Sequence, residues 1–291
     1  MIKQPLAEVF GFPIDNDSEA AKRARKLRLC PFSNKGPNCS KDKAENPLGV
    51  CSIHHDGRTT IVCPVRFREN WIIIEESAKL FFPPTATWTT FTDIKLFDKN
   101  ENSLGILDFV LVQYDHKGAV VNFGILETQA SYVTKNLRRP FEAFVRHPLE
   151  YLQKGYLGQV PYPDFSSSIQ RRMAPRLIFK GSIFHTWQKK MAIAIDKSLF
   201  DTLPELIHVN EDQSEVIWLI YELELDPILG IRRLVHSKTV FTLFEPTLFE
   251  ITHIHAGPLE EFVTNLQDRL DERLDSLYPP DPPGSNEFFS E

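Results

Sequence analysis

Two apolar runs rich in β-branched and aromatic residues lie at 106–112 and 120–129, on either side of a polar segment that contains Lys117 and Gly118. This alternation of apolar and polar stretches predicts a β-hairpin. With Lys117 and Gly118 as a two-residue turn, the register places Asp108 opposite Glu127. Because alternate side chains of a strand share a face, Gln129 lies on the face of Glu127. We therefore expect Asp108, Glu127 and Gln129 to form one patch.

Apolar neighbours surround this patch and predict that both strands are buried on both faces. Two buried carboxylates need a counter-charge. A divalent cation bound through oxygen atoms, Mg²⁺ above all, supplies one, and it can activate water and stabilise charge on a phosphoryl group. An aspartate and a glutamate exposed at strand ends are the alternative. The hairpin register and the E-x-Q spacing favour the metal site.

Helices and strands are predicted along the rest of the chain from the same kind of pattern. Trp71, Ile74, Ala78 and Phe81 recur at helical spacing and predict a helix that ends before Pro83. A strand at 88–98 is expected to precede the hairpin. Beyond the hairpin, the patterns predict helices at 141–156, 187–203 and 259–277, strands at 176–187 and 215–225, and a loop at 161–168.

Composition describes an ordinary globular protein: 291 residues, 42% hydrophobic and 25% charged, with a net charge of −6. The N-terminus has no basic segment followed by an apolar run, and no apolar run has the length of a membrane span. We therefore expect a cytoplasmic protein with no membrane partner. Acidic residues concentrate after Pro258, and the basic clusters elsewhere, such as 22–28, permit contact with phosphate.

All four cysteines, Cys30, Cys39, Cys51 and Cys63, lie in one segment rich in turn residues. Disulfides are disfavoured in the cytosol, whereas four thiolates satisfy a tetrahedral zinc or iron ion. The segment has few core-forming residues, so an internal staple is expected. Unligated cysteines are the alternative, since the spacing is not that of paired C-x₂-C knuckles.

Asp108 and the triplet Glu127-Thr128-Gln129 resemble the metal-binding core of the PD-(D/E)xK nuclease superfamily, in the variant with glutamine at the lysine position. The resemblance implies that the main-chain carbonyl of Thr128 also binds the catalytic Mg²⁺. A lysine there can help to activate water, whereas a neutral amide can only orient it through hydrogen bonds. Gln129 alone therefore leaves catalysis dependent on the metal.

The cysteine segment and the hairpin together resemble the NotI-type restriction endonucleases over about residues 29–136. The resemblance implies an α/β PD-(D/E)xK core, with a mixed central sheet flanked by helices and an N-terminal Cys₄ element that holds structural iron. Zinc suits the same four thiolates. It also implies Mg²⁺-dependent hydrolysis of double-stranded DNA at a GC-rich palindrome. A homodimer and a cognate DNA methyltransferase in the same host are the expected partners.

These inferences divide the chain into a Cys₄ element at 1–70, a nuclease core at 71–277 and a disordered tail at 278–291. Two rival functions are a catalytically silent DNA-binding protein that uses the Cys₄ element, and a structure-selective nuclease of repair or recombination. Three further groups of residues are candidates. Glu75 or Glu76 is a helical acid that could assist catalysis, and His253 and His255 could be metal ligands. The candidates for contact with guanine are four arginines: Arg66, Arg68, Arg171 and Arg172.

Overall fold

The computed structural model describes residues 4–43, 45–253 and 256–275. The chain divides into two compact units, Met1–Thr252 and His253–Glu291. The predicted tail at 278–291 and the histidine at 255 lie outside the described residues. Within the described part of the chain, no helix combines the length and the apolar character that crossing a membrane requires.

The first unit begins with a small antiparallel sheet in the order β2-β1-β5-β6. Its strands are β1 (Leu6–Val9), β2 (Phe12–Pro13), β5 (Val50–His55) and β6 (Arg58–Ile61), and the short strands β3 (Asp42–Lys43) and β4 (Asn46–Pro47) pair separately. Helix α1 (Glu19–Leu27) starts at Ser18, whose hydroxyl accepts the N–H of Ala21. This cap satisfies one of the N–H groups that a helix start leaves unpaired.

A 3₁₀ segment (Pro64–Trp71) and helix α2 (Ile72–Phe81) lead from the small sheet into a six-stranded mixed sheet. Its strands are β7 (Trp88–Phe97), β8 (Ser103–Tyr114), β9 (Val120–Gln129), β12 (Met191–Asp196), β13 (Val216–Asp226) and β14 (Ile231–Thr242), in the order β14-β13-β12-β9-β8-β7. Strand β12 is parallel to both β9 and β13, and the other pairs are antiparallel. The predicted α/β class with a mixed central sheet is therefore confirmed.

The hairpin of β8 and β9 pairs in the predicted register, with Phe109 opposite Leu126 and Gln113 opposite Asn122. The expected two-residue turn is wrong. The connection is longer and is closed by a hydrogen bond from the N–H of Asp115 to the carbonyl of Ala119. A register shift next to Gln113 absorbs the difference. Residues at the end of the hairpin remote from the turn therefore still lie opposite each other as predicted.

Helices cover both faces of the large sheet. Between β9 and β12 along the chain come β10 (Tyr132–Val133), α3 (Arg138–Arg146), α4 (Pro148–Lys154) and β11 (Pro163–Asp164). A continuous helical stretch at 165–186, here α5, follows; it combines α-helical turns with wider π-helical turns at Ile169–Met173 and Leu177–Gly181. Helices α6 (Lys197–Phe200) and α7 (Phe244–Thr252) complete the first unit, and α8 (Leu259–Asp275) belongs to the second.

Each face of the sheet has its own apolar core. Helix α2 packs through Ile74, Ala78 and Phe81 on the face that carries Phe109 and Leu126. Helices α5 and α7 pack on the opposite face, which is filled by side chains of α5, of the central strands and of α7: Met173, Leu177, Phe184, Ile125, Ile193 and Phe244. The sheet is thus the middle layer of three, and its central strands are removed from water.

Four further expectations from the sequence are wrong, at least in part. The predicted strand at 176–187 is the second half of α5, and the predicted loop at 161–168 overlaps its first turn. The predicted helix at 187–203 contains strand β12 before the single turn of α6. Burial of both hairpin faces holds for 125–129 but fails for Ile106 and Val121, which are exposed. The apolar pattern of the hairpin therefore overstates how much of it the rest of the chain covers.

Candidate active site

The predicted acidic pair lies at the end of the hairpin that is remote from the turn. The N–H of Asp108 donates to Oε1 of Glu127 at 3.4 Å. The N–H and the hydroxyl of Thr128 each donate to Oδ2 of Asp108 at 2.8 Å. Asp108 is half-buried and Glu127 is completely buried. The hairpin thus brings Asp108, Glu127 and the Thr128 peptide into one group.

Two cations from α5 neutralise the buried Glu127. Arg176 Nε lies 3.0 Å from Oε2, and Lys180 Nζ lies 2.9 Å from Oε1 and 3.0 Å from Oε2. Burial raises the pKa of Glu127, and the negative charge of Asp108 raises it further, while Arg176 and Lys180 oppose the rise. The carboxylate therefore depends on its two cationic neighbours to stay charged.

Both cations also bind main-chain oxygens of the hairpin. Arg176 Nη1 donates to the carbonyl of Thr128 at 2.8 Å, and Lys180 Nζ donates to the carbonyl of Ile106 at 2.6 Å. Sequence reasoning missed both roles, because it placed this segment in a strand. The signal that was available is the one-turn spacing of Arg176 and Lys180 in a stretch whose apolar residues recur at helical spacing.

Gln129 is buried beside this group but is not joined to it. Its amide nitrogen donates to the carbonyl of Ala130 at 3.1 Å. Its Oε1 is buried and has no partner among the described residues. The structure therefore brings together Asp108, Glu127 and Thr128, whereas the amide of Gln129 is bonded away from the two carboxylates.

The donor set of this patch fits a hard divalent cation, since it consists of two carboxylates and one carbonyl. The protein's own cations, however, contact two of these three groups. Within the described ranges, no cluster of three or more His, Cys, Asp or Glu side chains is arranged to hold a metal ion. A metal at this site must therefore compete with Arg176 and Lys180 for Glu127, and with Arg176 for the Thr128 carbonyl.

The four cysteines converge in the small N-terminal sheet and the loop that follows α1. Cys51 and Cys63 are buried, in β5 and after β6, while Cys30 and Cys39 are half-buried at the two ends of the loop. Burial raises the pKa of the Cys30 thiol to about 11, with Cys39 and Cys63 contributing. All four are free of disulfides. Folding thus brings Cys30 near Cys39 and Cys63, although within the described residues no three cysteines are arranged to hold a metal ion.

The family model of the restriction endonuclease NotI matches residues 8–229. The match spans well over half of the chain, and it includes the cysteine segment, the hairpin and α5. The chain belongs to the NotI restriction endonuclease family. It is accordingly a type II site-specific deoxyribonuclease, a hydrolase that binds double-stranded DNA. A search of curated proteins finds no match.

One arginine expected to contact guanine in this NotI-family chain is wrongly assigned. Arg66 is completely buried and is held by Glu8, with its Nε 3.1 Å from Oε2, and by Glu69 at 2.6 Å. A guanidinium locked between two carboxylates inside the protein cannot reach a DNA groove. Arg66 instead ties β1 to the segment before α2.

The other three arginines expected to contact guanine are not buried as Arg66 is. Arg171 and Arg172 are exposed on α5, the helix that also carries the two cations of the candidate site. Arg68 stacks over the ring of Phe109 with a separation of 5.4 Å. On α2, Glu75 is exposed and Glu76 is paired with Lys79. No contact recorded for Glu75 or Glu76 among the described residues joins them to Asp108 or Glu127.

Proposed function

We propose that this restriction endonuclease hydrolyses phosphodiesters in double-stranded DNA with Mg²⁺, at a GC-rich palindromic site. The observation that carries the proposal is the closeness of two carboxylates to Thr128, whose carbonyl completes an oxygen set: the N–H of Thr128 donates to Asp108 Oδ2, and the N–H of Asp108 donates to Glu127 Oε1. Such an all-oxygen set matches the ligand preference of Mg²⁺. Membership of the family indicates the reaction, and we assign its active site to the patch of Asp108, Glu127 and Thr128.

Asp108, Glu127 and the carbonyl of Thr128 are the proposed metal ligands. Bound Mg²⁺ lowers the pKa of a water molecule and offsets charge on the phosphoryl group. The chain's own contribution is to hold the ligands in place. Thr128 fixes the Asp108 carboxylate through two hydrogen bonds, and Arg176 and Lys180 let Glu127 remain charged while buried. Gln129 is proposed to position the attacking water, which requires its amide to leave Ala130.

A two-fold DNA site implies a homodimer with one active centre for each strand. The GC-rich specificity is proposed from the family resemblance. Arginines bind the O6 and N7 atoms of guanine in the major groove, and the exposed Arg171 and Arg172 are the first candidates on α5. A cognate methyltransferase that protects the same site in the host, and a cytoplasmic location, complete this part of the proposal.

The four cysteines are proposed to hold a structural metal ion, iron by resemblance to the family, with zinc as the chemically equivalent alternative. The interaction of the Cys30 thiol with Cys39 and Cys63 supports this assignment, because neighbouring thiols repel each other once ionised. A tetrahedral S₄ ion removes that repulsion and binds thiolates outright. Such an ion also staples the loop at 30–39 to the small sheet. The division into a Cys₄ element at 1–70 and a nuclease core at 71–277 follows from it.

The test is a digest of large, GC-rich, unmethylated DNA with purified protein, with and without Mg²⁺, followed by sequencing of the fragment ends. Discrete fragments that share one palindromic end, formed only with Mg²⁺, are the expected result. Cleavage at junctions or flaps without a common sequence would assign a structure-selective nuclease instead. Tight DNA binding without cleavage under any divalent ion would assign a silent binding protein.

A further inference from the structure

We propose that Lys180 supplies the ammonium group that the E-x-Q motif lacks, and this inference rests on the proposed function of the Asp108–Glu127 site. In the structure Lys180 Nζ lies within 3.0 Å of both oxygens of Glu127. The cation therefore comes from α5, on the face of the sheet opposite α2, rather than from the motif itself. Its role is electrostatic: its positive charge stabilises negative charge at the attacked phosphate.

The main chain of β8 fixes the ammonium group in place. Lys180 Nζ donates to the carbonyl of Ile106, which lies two residues before Asp108 on the same strand. The ammonium is thus held between β8 and β9, at the level of the two carboxylates. Its side chain is only 10% exposed. A fixed cation in a largely dry site stabilises developing charge more strongly than one in water does.

The motif glutamine cannot supply this charge. Gln129 is neutral, and its amide nitrogen is bonded to the carbonyl of Ala130. A buried amide orients a water molecule but adds no positive charge. The proposal thus assigns to two residues the roles that a motif lysine would combine: Gln129 orients the attacking water, and Lys180 carries the positive charge.

Lys180 suits this role better than Arg176, the other cation on Glu127. The recorded bonds of Arg176 go to Glu127 and to the Thr128 carbonyl, which are two of the three proposed metal ligands. Metal binding therefore removes both acceptors of Arg176. Metal binding also displaces Lys180 from the oxygens of Glu127, but Lys180 keeps its bond to Ile106, which is outside the ligand set. It remains anchored beside the carboxylates when the ligands are in use.

During hydrolysis the water oxygen forms a bond to phosphorus and the bridging P–O bond breaks; the proton of the water is released to solvent, and the leaving sugar oxygen takes up a proton from solvent. Lys180 neither gains nor loses a proton in this step. Its positive charge stabilises the oxygen that develops negative charge as the new bond forms. Loss of the charge should slow the cleavage step while DNA binding is preserved.

The first experiment measures single-turnover cleavage of cognate DNA by Lys180→Met with Mg²⁺. The control is Lys189→Met, because Lys189 is half-buried and its Nζ donates to a neutral neighbour, Asn122, at 2.8 Å. We expect a loss of about 100-fold or more for Lys180→Met, and less than about two-fold for the control. DNA binding in Ca²⁺ should stay near that of the wild type, whereas the melting temperature should fall, because buried Glu127 loses one of its two cations.

The second experiment moves the ammonium group to the motif. Gln129→Lys, introduced into the Lys180→Met protein, should restore the rate by at least about ten-fold, because it returns a cation beside Glu127. A folded double variant with no gain would overturn the proposal, as would a rate for Lys180→Met within two-fold of the wild type. Parallel losses of rate and DNA binding in Lys180→Met would also overturn it, since they would assign Lys180 a structural role.

The proposed function fails in a different way. If wild-type protein and Asp108→Asn are equally inactive on every DNA tested with Mg²⁺, the site itself is misassigned. If the wild type cleaves, Asp108→Asn does not, and Lys180→Met cleaves normally, only the role of Lys180 is rejected.

Discussion

Arg176 donates from Nη1 to the main-chain oxygen of Thr128 at 2.8 Å, while its Nε lies 3.0 Å from the carboxylate of Glu127. One guanidinium thus occupies two of the three groups proposed to hold Mg²⁺. Arginine and a divalent cation compete for the same oxygens, because both are recognised by their positive charge. Formation of the metal site therefore requires Arg176 to move.

Arg176→Gln is expected to bind Mg²⁺ or Mn²⁺ more tightly than the wild type in the absence of DNA. Removing a charged hydrogen-bond donor that competes for the ligands should improve affinity by roughly ten-fold. Isothermal titration with Mn²⁺ measures the change, and Arg172→Gln, on the exposed side of the same helix, is the control. Weaker binding by Arg176→Gln would instead mean that Arg176 helps to shape the metal site.

The hairpin could be predicted from the sequence because its information is local. Strand alternation and the position of the turn together fix which residues face each other. The turn is longer than predicted, but a bulge beside Gln113 compensates, so the relation between Asp108 and Glu127 survives. The relative position of residues on two adjacent strands was therefore within reach of the sequence.

The two cations on Glu127 could not be found in this way, because they come from an element whose type was misjudged. Strand β12 lies between two parallel strands and is buried along its whole length, so its sequence lacks polar alternation. The neighbouring stretch of α5 is rich in apolar and aromatic residues that also suit a strand. Tertiary packing decides both cases, and only the fold shows that Lys180 points at the carboxylate of Glu127, far back along the chain.

Asp108→Asn should abolish cleavage and leave the fold intact. The side-chain oxygen of asparagine can still accept from Thr128, but the amide has no charge with which to bind Mg²⁺. Cleavage assays and a thermal melt test both statements. Normal cleavage by this variant would remove Asp108 from the active site.

Glu127→Gln should also abolish cleavage but, unlike Asp108→Asn, should cost stability. The neutral side chain leaves Arg176 and Lys180 without their shared anion in a buried site. Breaking such a pair costs roughly 3 kcal/mol. Denaturant unfolding of the two variants side by side measures the difference. Equal stability of the two would show that the cations find other partners.

If the four cysteines hold the proposed structural metal, Cys39→Ser should lose it and loosen the loop at 30–39. A hydroxyl is a poor ligand for iron or zinc, and three remaining thiolates leave one position of a tetrahedral site incomplete. Elemental analysis of purified protein gives the metal and its stoichiometry, and limited proteolysis reports on the loop. An unchanged metal content with normal protection would show that Cys39 is not a ligand.

Asp196 should make the protein less stable as the pH rises from about 4 to 7. This side chain, at the end of β12, is almost fully buried, and burial raises its pKa from 3.8 to about 7. Its oxygens accept the N–H groups of Ile61 and Ser198, but no cation pairs with it among the described residues. Between the two pKa values the unfolded chain has released the proton that the folded chain still holds.

The stabilising effect of protonated Asp196 is therefore complete below the unfolded pKa, falls as the pH rises towards 7 and is lost above it. Each pH unit in that window is worth about 1.4 kcal/mol at most, so a loss of roughly 2–4 kcal/mol is expected. The substitution Asp196→Asn removes the ionisable group and should flatten this part of the profile, even though an amide cannot accept both N–H groups equally well. Urea unfolding of both proteins at several pH values across this window provides the measurement. Parallel profiles would show that Asp196 is ionised in the folded protein throughout this range.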